Sequence, residues 1–258
     1  MISSTIFEKP WGRIKIWSGG SGRCLLLLHG AWGDAQMHWS CVWDELAKHF
    51  KVIAPDIPGW GESELRQSFS SPNVIEALAE IVRNLECSKL IVVGNSFGGG
   101  VAQVFASSYP ELMEKIVLVD CGLINKIPLP ISRILAFKPI RFLPQKLLEY
   151  NSYSLNSLKR SFYSLGNLSE KQLDQILAGR SVHAALVIQA MLSIEREIKL
   201  PNVPTYLIWG EADELVPLKV AQNMIKDHPN WGLFRISKAG HLPQRENPAE
   251  FVSAIRRV

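Results

Sequence analysis

"LIVVGNSFGGG", residues 90–100, is the stretch whose reading decides the fold. Leu90 to Val93 are apolar and largely β-branched, as in a strand buried on both faces of a parallel sheet. Behind them, Val101, Val104 and Phe105 repeat at helical spacing as far as Tyr109-Pro110. Ser96 therefore falls on the turn between strand and helix. A residue held in so tight a turn needs neighbours without side chains, and Gly94 and Gly98 supply them. Gly-x-Ser-x-Gly is the spacing of a nucleophile elbow, which lifts a serine hydroxyl to the top of a sheet. The competing reading is a glycine-rich turn that only packs helix on strand, and the rest of the chain decides between them.

Outward from this turn, strands alternate with helices. Cys24–Leu28, "KVIAP" (51–55), "KIVLVD" (115–120), "TYLIWG" (205–210) and "WGLFRIS" (231–237) read as strands. The spacing predicts a helix over Gln36–Phe50, with Trp39, Val42, Trp43 and Leu46 on its apolar face. Another begins at Ser71-Pro72, cap and first residue, with Val74, Ile75, Leu78, Ile81, Val82 and Leu85 as its stripe. Asn247-Pro248-x-Glu250 resembles a capping box opening the last helix. Such alternation implies a mostly parallel sheet covered on both faces, an α/β fold. Between about 123 and 200 there is no convincing strand, only prolines and amphipathic segments such as "RILAFKPIRFLPQKLLEY". That stretch is too long for a plain connection. It reads as a helical lid (123–200) inserted into a core of residues 1–122 and 201–258.

Composition sets bounds. The 258 residues are 47% hydrophobic and 20% charged, which suits a packed domain and not a disordered or fibrous chain. A net charge of +4 is too mild for a nucleic-acid binder. The N-terminus lacks the pattern of a signal peptide, and no uninterrupted apolar run approaches the ~20 residues of a membrane span, so no stable membrane insertion is expected. Cys24, Cys41, Cys87 and Cys121 have no metal-like spacing. Cys24 and Cys121, in apolar strands, read as buried free thiols, and the chain as cytoplasmic and reduced.

A serine hydroxyl needs a base, and the base needs a group to orient it. His241, in the loop "SKAGHLPQREN" after the last strand, stands where α/β sheets place their sites. His29 is better suited to bracing a turn. His38, His49, His183 and His228 fall in helical segments, where a surface or packed role is the default. For the orienting acid, "IWGEADELVP" offers Glu211, Asp213 and Glu214, of which Asp213 fits the turn best. Asp120, ending an earlier strand, is its rival. The order Ser96, Asp213, His241 is the one expected for a nucleophile-elbow enzyme. An oxyanion needs two donors in place. The backbone N–H of Phe97 is one; the other is that of Ala31, or failing it Trp32, after "LLLLHG".

The pieces "HGAWGD", "DIPGWGES", "GNSFGG", "WGEADELVP" and "GHLPQRENPAEF" span nearly the whole chain. In that order they resemble the α/β-hydrolase fold, in its lidded esterase and lipase form. The resemblance implies an eight-stranded, mostly parallel sheet and a metal-free, cofactor-free Ser96-Asp213-His241 triad. It also implies a structural role for Asp56 and Ser63, while serine at the elbow argues against the epoxide hydrolases and dehalogenases, which use aspartate there. Asn95 with Gly98-Gly99 resembles the carbon–carbon bond hydrolases of ring-fission products, and Arg180 could match their arginine. Those enzymes tend to carry tryptophan after the catalytic histidine, where this chain has Leu242. Trp32, Asn95, Arg180 and Leu242 are thus candidate substrate contacts.

The expected activity is hydrolysis of small to medium carboxylic esters. Carbon–carbon bond hydrolysis is the enzymatic alternative, and a hydrolase-like receptor with little turnover the non-enzymatic one. Between Cys121 and Leu200 there are eleven Lys and Arg against five Asp and Glu, with Lys126, Arg133, Lys138, Arg141 and Lys146 all before Glu149. That is either a solvated helical face or a rim that recruits an anionic ester, an acidic acyl-carrier protein or a membrane surface.

Overall fold

A nine-stranded sheet organises the computed structural model, which describes residues 1–125, 127–194 and 197–258. Lys126, from the basic stretch, lies outside the described residues, as do the side chains of Arg133 and Lys138. An antiparallel hairpin, β1 (Ser3–Lys9) and β2 (Gly12–Gly19), forms one edge. Then come β3 (Cys24–Leu28), β4 (Lys51–Pro55), β5 (Glu64–Leu65), β6 (Leu90–Asn95), β7 (Met113–Val119), β8 (Thr205–Gly210) and β9 (Gly232–Ile236). The spatial order is β1-β2-β4-β3-β6-β7-β8-β9, parallel from β4 onward, with the two-residue β5 paired to β2. The expected eight-stranded path is present, and β5 is an addition to it.

The helices are α1 (Ala35–Trp39), α2 (Trp43–Leu46), α3 (Ser71–Asn84), α4 (Phe97–Ser108), α5 (Leu129–Ala136), α6 (Lys138–Tyr153), α7 (Leu155–Ser161), α8 (Glu170–Leu192), α9 (Lys219–Asp227), α10 (Pro243–Glu246) and α11 (Pro248–Arg257). The single helix predicted over 36–50 is two. The chain breaks between them, yet Trp39, Val42, Trp43 and Leu46 all still reach one core, so the periodicity is satisfied across the break. Helix α3 is capped one residue earlier than expected, Ser70 accepting from the Asn73 N–H. The cap of α11 is half of the expected box: Asn247 accepts from the Glu250 N–H, but the Glu250 carboxylate accepts from the Ser237 N–H and the Asn247 N–H donates to the Pro243 carbonyl.

Alternate residues of the central strands feed two cores. Leu26, Leu28, Leu90 and Val92 meet α3, α4 and α9, while Leu25, Leu27, Ile91 and Val93 meet α1, α2 and α11. Burying such side chains contributes roughly 1.5–3 kcal/mol each, and the sheet that results is a rigid base for the loops at its strand ends. Between β7 and β8 the described chain is helical, and a third core of Trp32, Tyr153, Leu158, Phe162, Ala184 and Leu242 fastens these helices over that end of the sheet. Helix α8 is long and apolar enough to cross a membrane by length and composition. Here it lies in this cap.

One expectation is overturned. Cys24 is not a free thiol but is bonded to Cys87. Cys24 pairs in register with Leu90, which carries the turn before β6 to the start of β3 and brings the two cysteines within 6.1 Å at Cα. Unpaired cysteines therefore no longer argue for a reducing compartment. Cys121 is free and buried as expected.

Candidate active site

The elbow is built by steric exclusion. Ser96 has φ 52° and ψ −116°, a region costing a non-glycine residue about 1–3 kcal/mol. A Cβ on Gly94 would stand 2.3 Å from the Gly98 carbonyl oxygen, and one on Gly98 2.2 Å from that of Leu28. Helix α4 can approach β6 and the end of β3 so closely only because both positions lack side chains. The Ser96 N–H is held by the Val119 carbonyl at 2.9 Å, and Ser96 offers no side-chain cap to α4. Its hydroxyl is half-buried and faces a cavity.

His241 faces the same cavity from the loop between β9 and α10. Its N–H donates to the Ser161 carbonyl at 2.7 Å, and its Nδ1 lies 2.7 Å from Asp213 Oδ2. The other carboxylate oxygen, Oδ1, accepts from the Leu215 and Val216 N–H groups at 2.8 and 3.0 Å. Both side chains are nearly sealed from solvent. A proton on Nδ1, toward Asp213, leaves Nε2 free to act as a base.

Asp120, the rival acid, is buried at the end of β7 with φ 45°. Its Oδ1 accepts from the Gly210 N–H at 3.0 Å. Burial, reinforced by the negative charge of Asp213, holds its carboxyl well above the usual range. The structure places Asp213, not Asp120, on His241.

The loop after β3 is pinned by His29, by His38 and by side chains from other elements. His29 Nδ1 contacts the Gly30 carbonyl at 2.7 Å, and its Nε2 accepts from the Ile57 N–H. Because a trans peptide points its N–H opposite to its C=O, that contact fixes the direction of the Ala31 N–H. The Ala31 carbonyl accepts from Trp60 Nε1 and the Tyr153 hydroxyl, which fixes the Trp32 N–H in the same way. His38 Nδ1 accepts from the Gly30 N–H, and its Nε2 contacts the Trp32 carbonyl. Burial lowers the pKa of His29 to about 4 and that of His38 well below its ordinary value, so both rings are neutral fixtures. His29 thus braces the turn as expected. Neither His38 nor Tyr153 carried any motif. Asp56 accepts from the Ala35 and Glu62 N–H groups, and Ser63 Oγ from the Lys15 N–H, the loop-holding roles the resemblance implied.

The candidate substrate contacts divide. Trp32 and Leu242 line the cavity. Trp32 also ties the cap down through its Nε1, which donates to the Ser152 carbonyl at 3.0 Å, and packs edge-on to His241. Asn95 reaches the cavity wall, but its amide donates to the Val119 and His241 carbonyls, so its role is within the elbow. Arg180 is exposed on α8 and does not reach the cavity. That expectation fails because Arg180 has the helix phase of Ala184, Val187 and Met191 but stands about two turns before Val187, where the cavity lining on this helix begins.

The cavity holds about 340 Å³ and is chiefly apolar, with Phe69, Val74, Ile75, Val101, Val104 and Ile124 among its walls. Among the described residues, its lining includes no Lys, Arg, Asp or Glu. Nor do they contain any group of three or more His, Cys, Asp or Glu able to hold a metal.

His183, from α8, stacks on Trp60 at 5.2 Å and ties cap to core. Burial, with the nearby His29, lowers its pKa from 6.5 to about 4, and its Nδ1 has no partner. Between those pH values the unfolded chain binds the proton and the folded one does not, so stability is full above 6.5 and falls toward 4. His183→Phe keeps the stack and removes the titration. Its melting temperature should match the wild type at pH 8 and fall less steeply between pH 6.5 and 4. Parallel curves would place the acid sensitivity elsewhere.

A sequence model described as the alpha/beta hydrolase family matches residues 25–254. A 2-hydroxy-6-oxononadienedioate/2-hydroxy-6-oxononatrienedioate hydrolase of Burkholderia vietnamiensis is 28% identical over 91% of this chain and 86% of its own length. Among solved structures, an epoxide hydrolase superposes with TM-score 0.73 at 22% identity, covering 100% of this chain and 98% of its own. A thermophilic esterase of Thermogutta terrifontis gives TM-score 0.71 at 22%, covering 100% and 97%. Structures with such different names share the fold, so the fold alone does not select a reaction.

Proposed function

Because the chain belongs to the alpha/beta hydrolase family, we propose that it is a serine hydrolase of carboxylic esters with neutral, apolar acyl groups of small to medium length. Ser96 Oγ attacks the ester carbonyl while His241 Nε2 takes its proton. The N–H groups of Phe97 and Ala31 receive the tetrahedral oxyanion. The first of these opens α4, where the helix dipole also favours negative charge. Collapse breaks the acyl C–O bond, His241 returns the proton to the departing alcohol, and water repeats the sequence on the acyl-enzyme.

The observation that carries this reading is the apolar wall beside Ser96. A cavity of this size and character suits an acyl chain, whose burial contributes about 0.8 kcal/mol per methylene. The second reading, carbon–carbon bond hydrolysis, is favoured by the name of the Burkholderia relative. That name describes a dioate, a substrate with two carboxylates, and a buried carboxylate demands a paired cation. The described lining has none, and Arg180 is not part of it.

A series of p-nitrophenyl esters tests the assignment. kcat/KM should rise with acyl length until the cavity is filled and then fall, while a 2-hydroxy-6-oxo-dienedioate should not be turned over. Cleavage of the dioate in preference to every ester would transfer the assignment to carbon–carbon bond hydrolysis. Inertness toward both would leave the receptor reading.

A further inference from the structure

Helix α6 has two apolar faces. The inner one carries Leu148 and Tyr153, which line the catalytic cavity. The outer one carries Leu143, Leu147 and Tyr150, exposed by 65%, 61% and 74%, with Phe142 at 54% beside them. Spacings of three and four residues put Leu143, Leu147 and Tyr150 on a single stripe. Ile131, Ile134 and Phe137 of the preceding segment are exposed as well. Solitary exposed apolar residues are ordinary, but a cluster of seven within twenty residues marks a surface that something covers.

Charge selects what covers it. Residues 129–153 contain four basic residues and one acid. Of these, Lys146 lies against the Phe142 ring and pairs with Glu149 at 2.7 Å. A second copy of the chain, meeting this face across a two-fold axis, would set net positive charge against net positive charge. An anionic surface meets it favourably. Exposed apolar side chains on a helical segment whose sequence is net basic are what an interface of fatty chains and anionic headgroups accepts.

We propose that the outer face of α5 and α6 docks on an anionic lipid surface. Docking puts the helix that walls the catalytic cavity at the bilayer boundary, so that esters dissolved in the membrane are the substrate source. The binding step does not depend on the ester-hydrolase reading, whereas the choice of substrate rests on it. Docking of this kind is peripheral and inserts no helix across the bilayer.

Co-sedimentation with extruded vesicles tests it on the intact Ser96→Ala chain, which cannot hydrolyse the probe. The protein should pellet with equimolar phosphatidylglycerol–phosphatidylcholine vesicles and not with phosphatidylcholine alone, and added salt should release it. Leu143→Glu with Leu147→Glu should weaken binding by about ten-fold or more. In an otherwise wild-type chain the same pair should leave turnover of p-nitrophenyl butyrate unchanged, since neither residue reaches the cavity. Failure to pellet with anionic vesicles, equal binding by the double variant, or a dimer in gel filtration that the double variant abolishes would overturn the proposal. If the vesicles bind but no ester is cleaved at any chain length, docking stands and the hydrolase reading falls.

Discussion

Ser96→Ala should lower ester turnover by ~10⁴-fold or more without lowering the melting temperature. The substitution removes one half-buried hydroxyl from a backbone whose shape is set by Gly94, Gly98 and the bond from the Ser96 N–H to Val119. None of these depends on the side chain. The loss is large because without Oγ there is no acyl-enzyme, and the remaining oxyanion donors can assist only the slow direct attack of water. A fluorophosphonate probe should label Ser96 in the wild type. Two other serines, Ser71 and Ser152, line the cavity and make the experiment discriminating. The Ser71 hydroxyl donates to the Ala190 carbonyl at 2.7 Å, and its proton is held there by a backbone acceptor and not by a basic side chain. A labelled peptide containing Ser71 or Ser152, or a Ser96→Ala protein of nearly normal activity, would remove the elbow from the chemistry.

What could be read in the sequence was whatever a local constraint forces. The elbow is legible because only glycine fits at two fixed offsets from the serine, and the clashes at Gly94 and Gly98 are the physical content of that pattern. Strands β3, β4, β6, β7 and β8 are buried along nearly their whole length and announce themselves as apolar runs. β1 does not. Most of its side chains are exposed, and as an antiparallel edge it needs no apolar run. Tertiary pairings were also hidden. The Cys24–Cys87 bond follows from the β3–β6 register, and a sequence separation of 63 gives no hint of it. The same holds for His38 and Tyr153. Their work is on the backbone of Gly30, Ala31 and Trp32, and a side chain that serves a distant carbonyl leaves no spacing to recognise. Arg180 shows the opposite error. Its residue type suited a carboxylate and its helix phase is that of Ala184, Val187 and Met191, but it stands about two turns before Val187, where the cavity lining on this helix begins.

Asp213→Asn should cut turnover by ~10⁴-fold, and Asp120→Asn by less than ten-fold. The contrast follows from what holds each carboxyl. Asp213 Oδ1 accepts from two backbone N–H groups, Leu215 and Val216, so an asparagine there must turn its oxygen toward them. Its amide NH₂ then faces His241 Nδ1 in place of Oδ2, 2.7 Å away in the wild type. Nδ1 is forced to accept, the ring proton moves to Nε2, and the base that should take the Ser96 proton is already protonated. Asp120 differs because burial and the nearby Asp213 disfavour its charged form, and its Oδ1 needs only to accept from the Gly210 N–H. Asparagine reproduces that contact with a neutral group of nearly the same shape. Asp120→Leu removes the acceptor and leaves the Gly210 N–H buried without a partner, at a cost of about 1–3 kcal/mol in stability. It should therefore lower the melting temperature where Asp120→Asn does not. If Asp120→Asn proved the more damaging of the two asparagine variants, the orienting acid would be the one on β7, with Asp213 reduced to holding the loop.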